Sequence, residues 1–211
     1  MTIQIKICGL STPETVDAAV DAGATHIGLV HFSPSPRHVS LDQAAALRRR
    51  VPGRVKVVLL TVNMEPAPFT AAIDAVRPDI IQFHGNETTQ WLALVKQHAP
   101  YQLWKAVGVK NHETFERARK WDGVVDRLLY DAPAAALPGG NGLAVDWSLF
   151  SKGGLPNIPW GLAGGLNPAN VADAIRQTGA ELVDASSGLE SAPGIKEVDR
   201  IKAFCEAARG A

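Results

Sequence analysis

Short apolar or β-branched runs alternate along this chain with stretches whose apolar residues recur at helical spacing. The first run sets the theme. Ile3, Ile5 and Ile7 fall on one face of an extended segment, and Gln4, Lys6 and Cys8 fall on the other. The pattern predicts strands over Ile3 to Cys8, His26 to Phe32, Val55 to Val62, Ile80 to His84, Gln102 to Val107, Arg127 to Asp131, Ile158 to Ala163 and Leu182 to Ser186. Helices are predicted over Pro13 to Ala22, Leu41 to Arg50, Pro66 to Val76, Glu87 to His98, Asn111 to Lys120, Asp146 to Phe150, Pro168 to Thr178 and Lys196 to Ala208. Thr12-Pro13-Glu14 and Asn167-Pro168 read as helix starts, with a capping side chain ahead of a proline at the first helical position. Eight strand-then-helix units in 211 residues fit a (β/α)8 TIM barrel, an α/β fold, formed as one domain over residues 1–211. A doubly wound open sheet usually has fewer strands.

Composition narrows the function classes. The chain is 46% hydrophobic and 20% charged, enough to bury one sizeable core. Its 21 basic and 21 acidic residues cancel. The longest basic cluster, Arg48-Arg49-Arg50, ends a predicted helix, where positive charge suits the dipole, so a nucleic-acid partner is not expected. No run approaches the length of a membrane span, and the start lacks a signal-like pattern. Cys8 and Cys205 are the two cysteines, too few for a disulfide framework, which points to a cytoplasmic setting. Neither cysteine has metal-ligand spacing, and no clustered His, Asp and Glu set appears, so no metal is expected. Cys205 reads as a packing residue of the last helix. The oligomeric state, monomer or homodimer, is left open.

In a barrel of this kind chemistry collects where strands hand over to the loops that follow. Cys8-Gly9 ends the first strand. With Lys6 two residues away on the same face, its thiol is expected to ionise more readily and to serve as base or nucleophile; a packed, inert thiol is the alternative. Asp131 ends an apolar run and suits proton donation if desolvation raises its pKa, or it caps the loop. Arg37, after the stiff Ser33-Pro34-Ser35-Pro36 segment, suits bidentate capture of a carboxylate, or is a surface arginine with no specific task. Gly164 and Gly165, followed by a predicted helix start, and Ser186-Ser187-Gly188 suit a phosphate cradle after strands seven and eight; two glycine-rich turns that merely close the barrel are the alternative. The insertion Ala132 to Gly142 acts as a lid or as a loose connection. His84 and Asp184 point inward by alternation. His84 reads as a hydrogen-bonded residue, and Asp184 either offsets Lys6 or binds a sugar hydroxyl.

Lys6-Ile7-Cys8-Gly9, Ser35-Pro36-Arg37, Gln82-Phe83-His84-Gly85-Asn86-Glu87, Asp131, Gly139-Gly140-Asn141-Gly142, Asp146-Trp147, Leu162-Ala163-Gly164-Gly165-Leu166, Ser186-Ser187-Gly188 and Pro193-Gly194 occur in this order. Taken together they resemble the phosphoribosylanthranilate isomerase family of tryptophan biosynthesis. The resemblance implies a barrel that carries out an Amadori rearrangement of a small phosphorylated substrate without cofactor or metal. It further implies Cys8 as general base, Asp131 as general acid, Arg37 at the anthranilate carboxylate, and the glycine and serine loops at the phosphate. One position departs from the family pattern. Asn141 stands where a threonine is usual, which alters the reach of a hydrogen-bonding side chain in the lid-like segment. The nearest rival is the histidine-pathway isomerase of the same fold, whose family has an aspartate in place of Cys8. A rival of another class is a non-catalytic barrel that binds a phosphorylated ligand.

Overall fold

The computed structural model describes residues 2–133 and 145–211. Eight parallel strands close into a barrel in chain order. They are β1 (Gln4–Cys8), β2 (His26–Val30), β3 (Lys56–Thr61), β4 (Ile80–Phe83), β5 (Gln102–Gly108), β6 (Arg127–Asp131), β7 (Trp160–Leu162) and β8 (Leu182–Ala185). The helices are α1 (Pro13–Asp21), α2 (Leu41–Arg48), α3 (Pro66–Val76), α4 (Thr89–His98), α5 (Glu113–Ala118), α6 (Val171–Thr178) and α7 (Val198–Arg209). The ring closes through β1 and β8, where Lys6 stands opposite Asp184. None of the described helices is long and apolar enough to cross a membrane.

Alternation divides the core into two layers. Ile5, Ile7, Ile27, Leu29, Val57 and Leu59 are almost fully buried between the barrel and the helices. Val58, Ile80, Trp104, Leu129, Ala163 and Leu182 fill the interior. Each buried valine, leucine or isoleucine among them contributes about 1.5–3 kcal/mol by leaving water. Toward the C-terminal ends of the strands, Cys8, Val30 and Leu60 form a third, smaller cluster. The opposite end is closed by polar groups around Trp104. His26 lies 5.1 Å from that ring, and the Arg127 guanidinium stacks over it at 5.3 Å while donating to the carbonyl of Trp160 at 3.0 Å.

Three local expectations need correction. Asn167-Pro168 does not open a helix: Asn167 Oδ1 accepts from the amide of Ala169 at 2.9 Å in a side-chain turn, and α6 starts only at Val171. The segment predicted as a helix from Asp146 is a 3-10 turn, Trp147–Lys152, with Asp146 accepting from the amide of Ser148. The last helix starts at Val198, because residues before it form an unpredicted hairpin, β9 (Glu190–Ala192) with β10 (Ile195–Lys196). Thr12 does cap α1, accepting from Thr15. The Asn141 position and most of the 132–142 insertion lie outside the described residues.

Candidate active site

Cys8 and Asp131 are the last residues of β1 and β6, so each arrives at the same open end of the barrel. They are 5% and 7% exposed, buried yet at the mouth. Opposite Cys8 in the sheet is Gly28. A Cβ there would sit 2.9 Å from the Cys8 Sγ, so β2 yields the space that the thiol occupies. Gly9 turns the chain with φ +75°, and the Arg37 side chain packs directly against it.

The electrostatics beneath the thiol are set by a buried ion pair. Lys6 Nζ stands 2.7 Å from Asp184 Oδ2, with both side chains nearly excluded from water. Burial works against the Lys6 charge, but Asp184 and Cys8 outweigh it and hold the ammonium above its ordinary pKa. Cys8 corrects the expectation of a readily ionised thiol. Its burial pushes the pKa up, and the opposing pull of Lys6 does not overcome that. The second oxygen of Asp184, Oδ1, is buried with no protein partner among the described residues. An acceptor left in that state suits a ligand hydroxyl.

Asp131 is held at both oxygens. Oδ1 accepts from the amide of Ala132 at 2.7 Å, and Oδ2 lies 3.4 Å from His84 Nε2. His84 is oriented in turn by the Gln82 carboxamide, 3.2 Å from its Nδ1. The loop carrying His84 is clamped from the outside of the barrel. Lys105 Nζ donates to the carbonyls of Phe83 and Gly85, at 3.3 and 2.7 Å, and pairs with buried Glu87 at 3.1 Å.

The glycine and serine loops meet. A Cβ on Gly188 would lie 2.1 Å from the carbonyl oxygen of Leu166, so the turns after β7 and β8 touch without room for a side chain. Gly164 and Gly165 have φ of +85° and +68°. Asn167 and Asn170 both donate to the carbonyl of Gly165, at 3.3 and 3.1 Å, fixing that turn. The backbone of Gly164, Gly165, Ser186, Ser187 and Gly188 is half-buried at the mouth. A cradle there has the turn geometry expected from sequence but lacks the helix expected at Asn167.

Arg37 has a protein partner that its sequence reading did not name. It does capture a carboxylate through two parallel bonds, but the carboxylate is that of Glu190: Nε to Oε1 and Nη2 to Oε2, both at 2.7 Å. Lys196 pairs with the same Glu190 oxygen that accepts from Nε, and its Nζ lies 3.5 Å from Ser186 Oγ. Burial works against the Glu190 charge, yet Arg37 and Lys196 hold that carboxyl below the usual range. Burial lowers Lys196, with Glu190 opposing. Glu190 and Lys196 escaped the sequence reading. Their one visible signal was the position of both beside Pro193-Gly194, just after the expected phosphate loop. No group of three or more His, Cys, Asp or Glu side chains among the described residues is placed to hold a metal ion.

Comparison with known proteins agrees with this geometry. Residues 5–207 match the family model described as N-(5'phosphoribosyl)anthranilate (PRA) isomerase. The N-(5'-phosphoribosyl)anthranilate isomerase of Erythrobacter litoralis is 60% identical over 207 residues, covering 98% of this chain and 99% of the relative. That of Parvibaculum lavamentivorans is 50% identical over the whole of both chains. Among solved structures, phosphoribosyl anthranilate isomerase from Thermotoga maritima superposes with a TM-score of 0.88 at 32% identity, covering 99% of this chain and 100% of its own. A phosphoribosyl anthranilate isomerase in complex with reduced 1-(o-carboxyphenylamino)-1-deoxyribulose 5-phosphate gives a TM-score of 0.85 at 31% identity, covering 99% of this chain and 100% of its own. A closed eight-stranded barrel, a thiol and a carboxyl at one mouth, and full-length relatives at this identity lead to one statement: this chain belongs to the N-(5'-phosphoribosyl)anthranilate isomerase family.

Proposed function

We propose that this chain converts N-(5-phosphoribosyl)anthranilate to 1-(2-carboxyphenylamino)-1-deoxyribulose 5-phosphate, with Asp131 as general acid and Cys8 as general base. The observation that carries the reading is the arrival of these two side chains, buried and inward, at one barrel mouth from β1 and β6. The first step transfers a proton from the Asp131 carboxyl to the ribose ring oxygen. The bond from that oxygen to C1 breaks, and the anthranilate nitrogen lone pair completes an iminium. Cys8 then takes the C2 proton, and the released electron pair neutralises the iminium to an enolamine. Protonation at C1 and loss of the enol proton give the C2 ketone.

The resting thiol is pushed up by burial, so its ionisation belongs to the bound state. The iminium supplies a positive charge beside it, and Lys6 supplies a second, fixed by Asp184. Asp184 Oδ1 accepts a ribose hydroxyl in this reading. Ala132 N–H and His84 hold the Asp131 carboxyl in register with the ring oxygen. The phosphate rests on the backbone of Gly164, Gly165, Ser186, Ser187 and Gly188, and Arg37 faces the anthranilate carboxylate. No cofactor takes part, the whole chain acts as one domain, and the setting is cytoplasmic, in keeping with two unpaired cysteines.

The test follows the loss of phosphoribosylanthranilate fluorescence with purified protein and with Asp131→Asn. Wild-type turnover is expected, with kcat lowered by about 10²–10⁴-fold in the variant and KM little changed. A folded wild-type protein that leaves the substrate untouched overturns the reading.

A further inference from the structure

The hairpin formed by β9 and β10 carries two charged side chains inward, where a surface hairpin would usually expose them. Glu190 and Lys196 are 4% and 1% exposed in their side chains. The hairpin rests on the loop that follows β2, since a Cβ on Gly194 would lie 2.4 Å from the carbonyl oxygen of Pro36. Arg37, the next residue, gives Nε and Nη2 to Glu190. Gly194 N–H donates to Glu190 Oε2 at 3.3 Å, and Lys196 closes the group from the other side. The result is two buried cations around one buried anion, joined across 153 residues of chain.

Charge arithmetic gives the arrangement a purpose. An Arg37–Glu190 pair alone is neutral and offers an incoming carboxylate no net attraction. Glu190 nevertheless aims the guanidinium rigidly, because a planar fork on a carboxylate has one favoured orientation. Adding Lys196 restores a net single positive charge while keeping the aim. Burying a second cation is costly unless its charge is used.

We propose that Lys196 is a specificity-determining residue that acts through Arg37: it keeps the Arg37–Glu190–Lys196 group cationic, so that the site selects an arylamine substrate bearing a carboxylate. This rests on the reading that Arg37 faces that carboxylate. Lys196 Nζ also lies 3.5 Å from Ser186 Oγ in the phosphate cradle, but its bond to Glu190 couples its charge to the Arg37 guanidinium.

The test compares kcat/KM for N-(5-phosphoribosyl)anthranilate and for N-(5-phosphoribosyl)aniline, which lacks the carboxylate, in wild type, Arg37→Met, Lys196→Met and Lys196→Arg. The wild-type preference for the carboxylated substrate should fall at least about tenfold in Lys196→Met, as for one buried charge facing another at an effective dielectric constant of about 20. Lys196→Arg should retain the preference. If Lys196→Met does not fold, Lys196→Gln carries the same comparison. Equal losses on both substrates in the lysine variant would overturn the inference, because a lysine serving only the fold or the Cys8 thiol lowers both alike. If Arg37→Met abolishes the preference and Lys196→Met does not, the inference fails while the carboxylate reading stands. If Arg37→Met leaves the preference intact, the carboxylate reading itself fails.

Discussion

Lys6→Met removes the cation bonded to Asp184 and replaces it with an uncharged side chain of similar length. Lys6 is fully buried and stands 2.7 Å from the carboxylate. Taking one partner from a buried pair leaves the other charge uncompensated, which costs about 3–5 kcal/mol. For a chain of this size that corresponds to a fall in Tm of roughly 6–20 °C. The pH dependence has a definite sign. Burial already pushes the Asp184 carboxyl up against the pull of Lys6, and without Lys6 it rises further. A folded pKa above the unfolded one leaves stability intact below the unfolded value and removes it as pH climbs through the folded value. The deficit of Lys6→Met against wild type should therefore be smallest in acid and widen toward neutral pH. Thermal unfolding of both proteins from pH 4 to pH 8 measures this. The same variant loses the strongest downward pull on the Cys8 thiol, so alkylation by iodoacetamide at fixed pH should slow. A constant deficit across pH, or unchanged alkylation, would refute the electrostatic link from Asp184 through Lys6 to the thiol.

Gly28→Ala places a methyl 2.9 Å from both the Cα and the Sγ of Cys8; overpacking of about 1–3 kcal/mol is expected, with kcat reduced more than KM in steady-state assays. His26, buried against Trp104 and near Arg127 and Lys6, is lowered to about 3 mainly by burial. Because its folded pKa lies below the unfolded value near 6.5, its contribution is complete above that pH and declines in acid. Roughly 2 kcal/mol should be lost between pH 6.5 and pH 5 on this account, and His26→Gln should flatten that part of the denaturant-measured stability profile.

Much of the barrel was legible because its two periods are clean. Ile3, Ile5 and Ile7 against Gln4, Lys6 and Cys8 already separated the outer layer from the interior, and the observed β1 keeps that division. Strand ends named in this way placed Cys8, Asp131, Asp184 and His84 at one mouth. What escaped was whatever depends on partners distant in sequence. Glu190–Ala192 and Ile195–Lys196 are too short to show any period, so the hairpin and its two inward charges went unseen. The Glu190 partner of Arg37 went unseen because nothing local reveals a carboxylate 153 residues away. The sign of the Cys8 shift was misjudged for a related reason: Lys6 is visible at two-residue spacing, whereas depth of burial is not, and here burial prevails. At Asn167 the cap-like dipeptide had an alternative use in a side-chain turn, which local propensity does not decide.

The division of labour between thiol and carboxyl is decided by the pH profile of kcat/KM for wild type beside Cys8→Ser. With the thiol held above its ordinary value, the wild-type profile should rise through an alkaline ionisation that disappears in Cys8→Ser, together with a loss of about 10²–10⁴-fold in rate. A Cys8→Ser enzyme that keeps the alkaline ionisation, or that turns over nearly as fast as wild type, would contradict the assignment of Cys8 as the base.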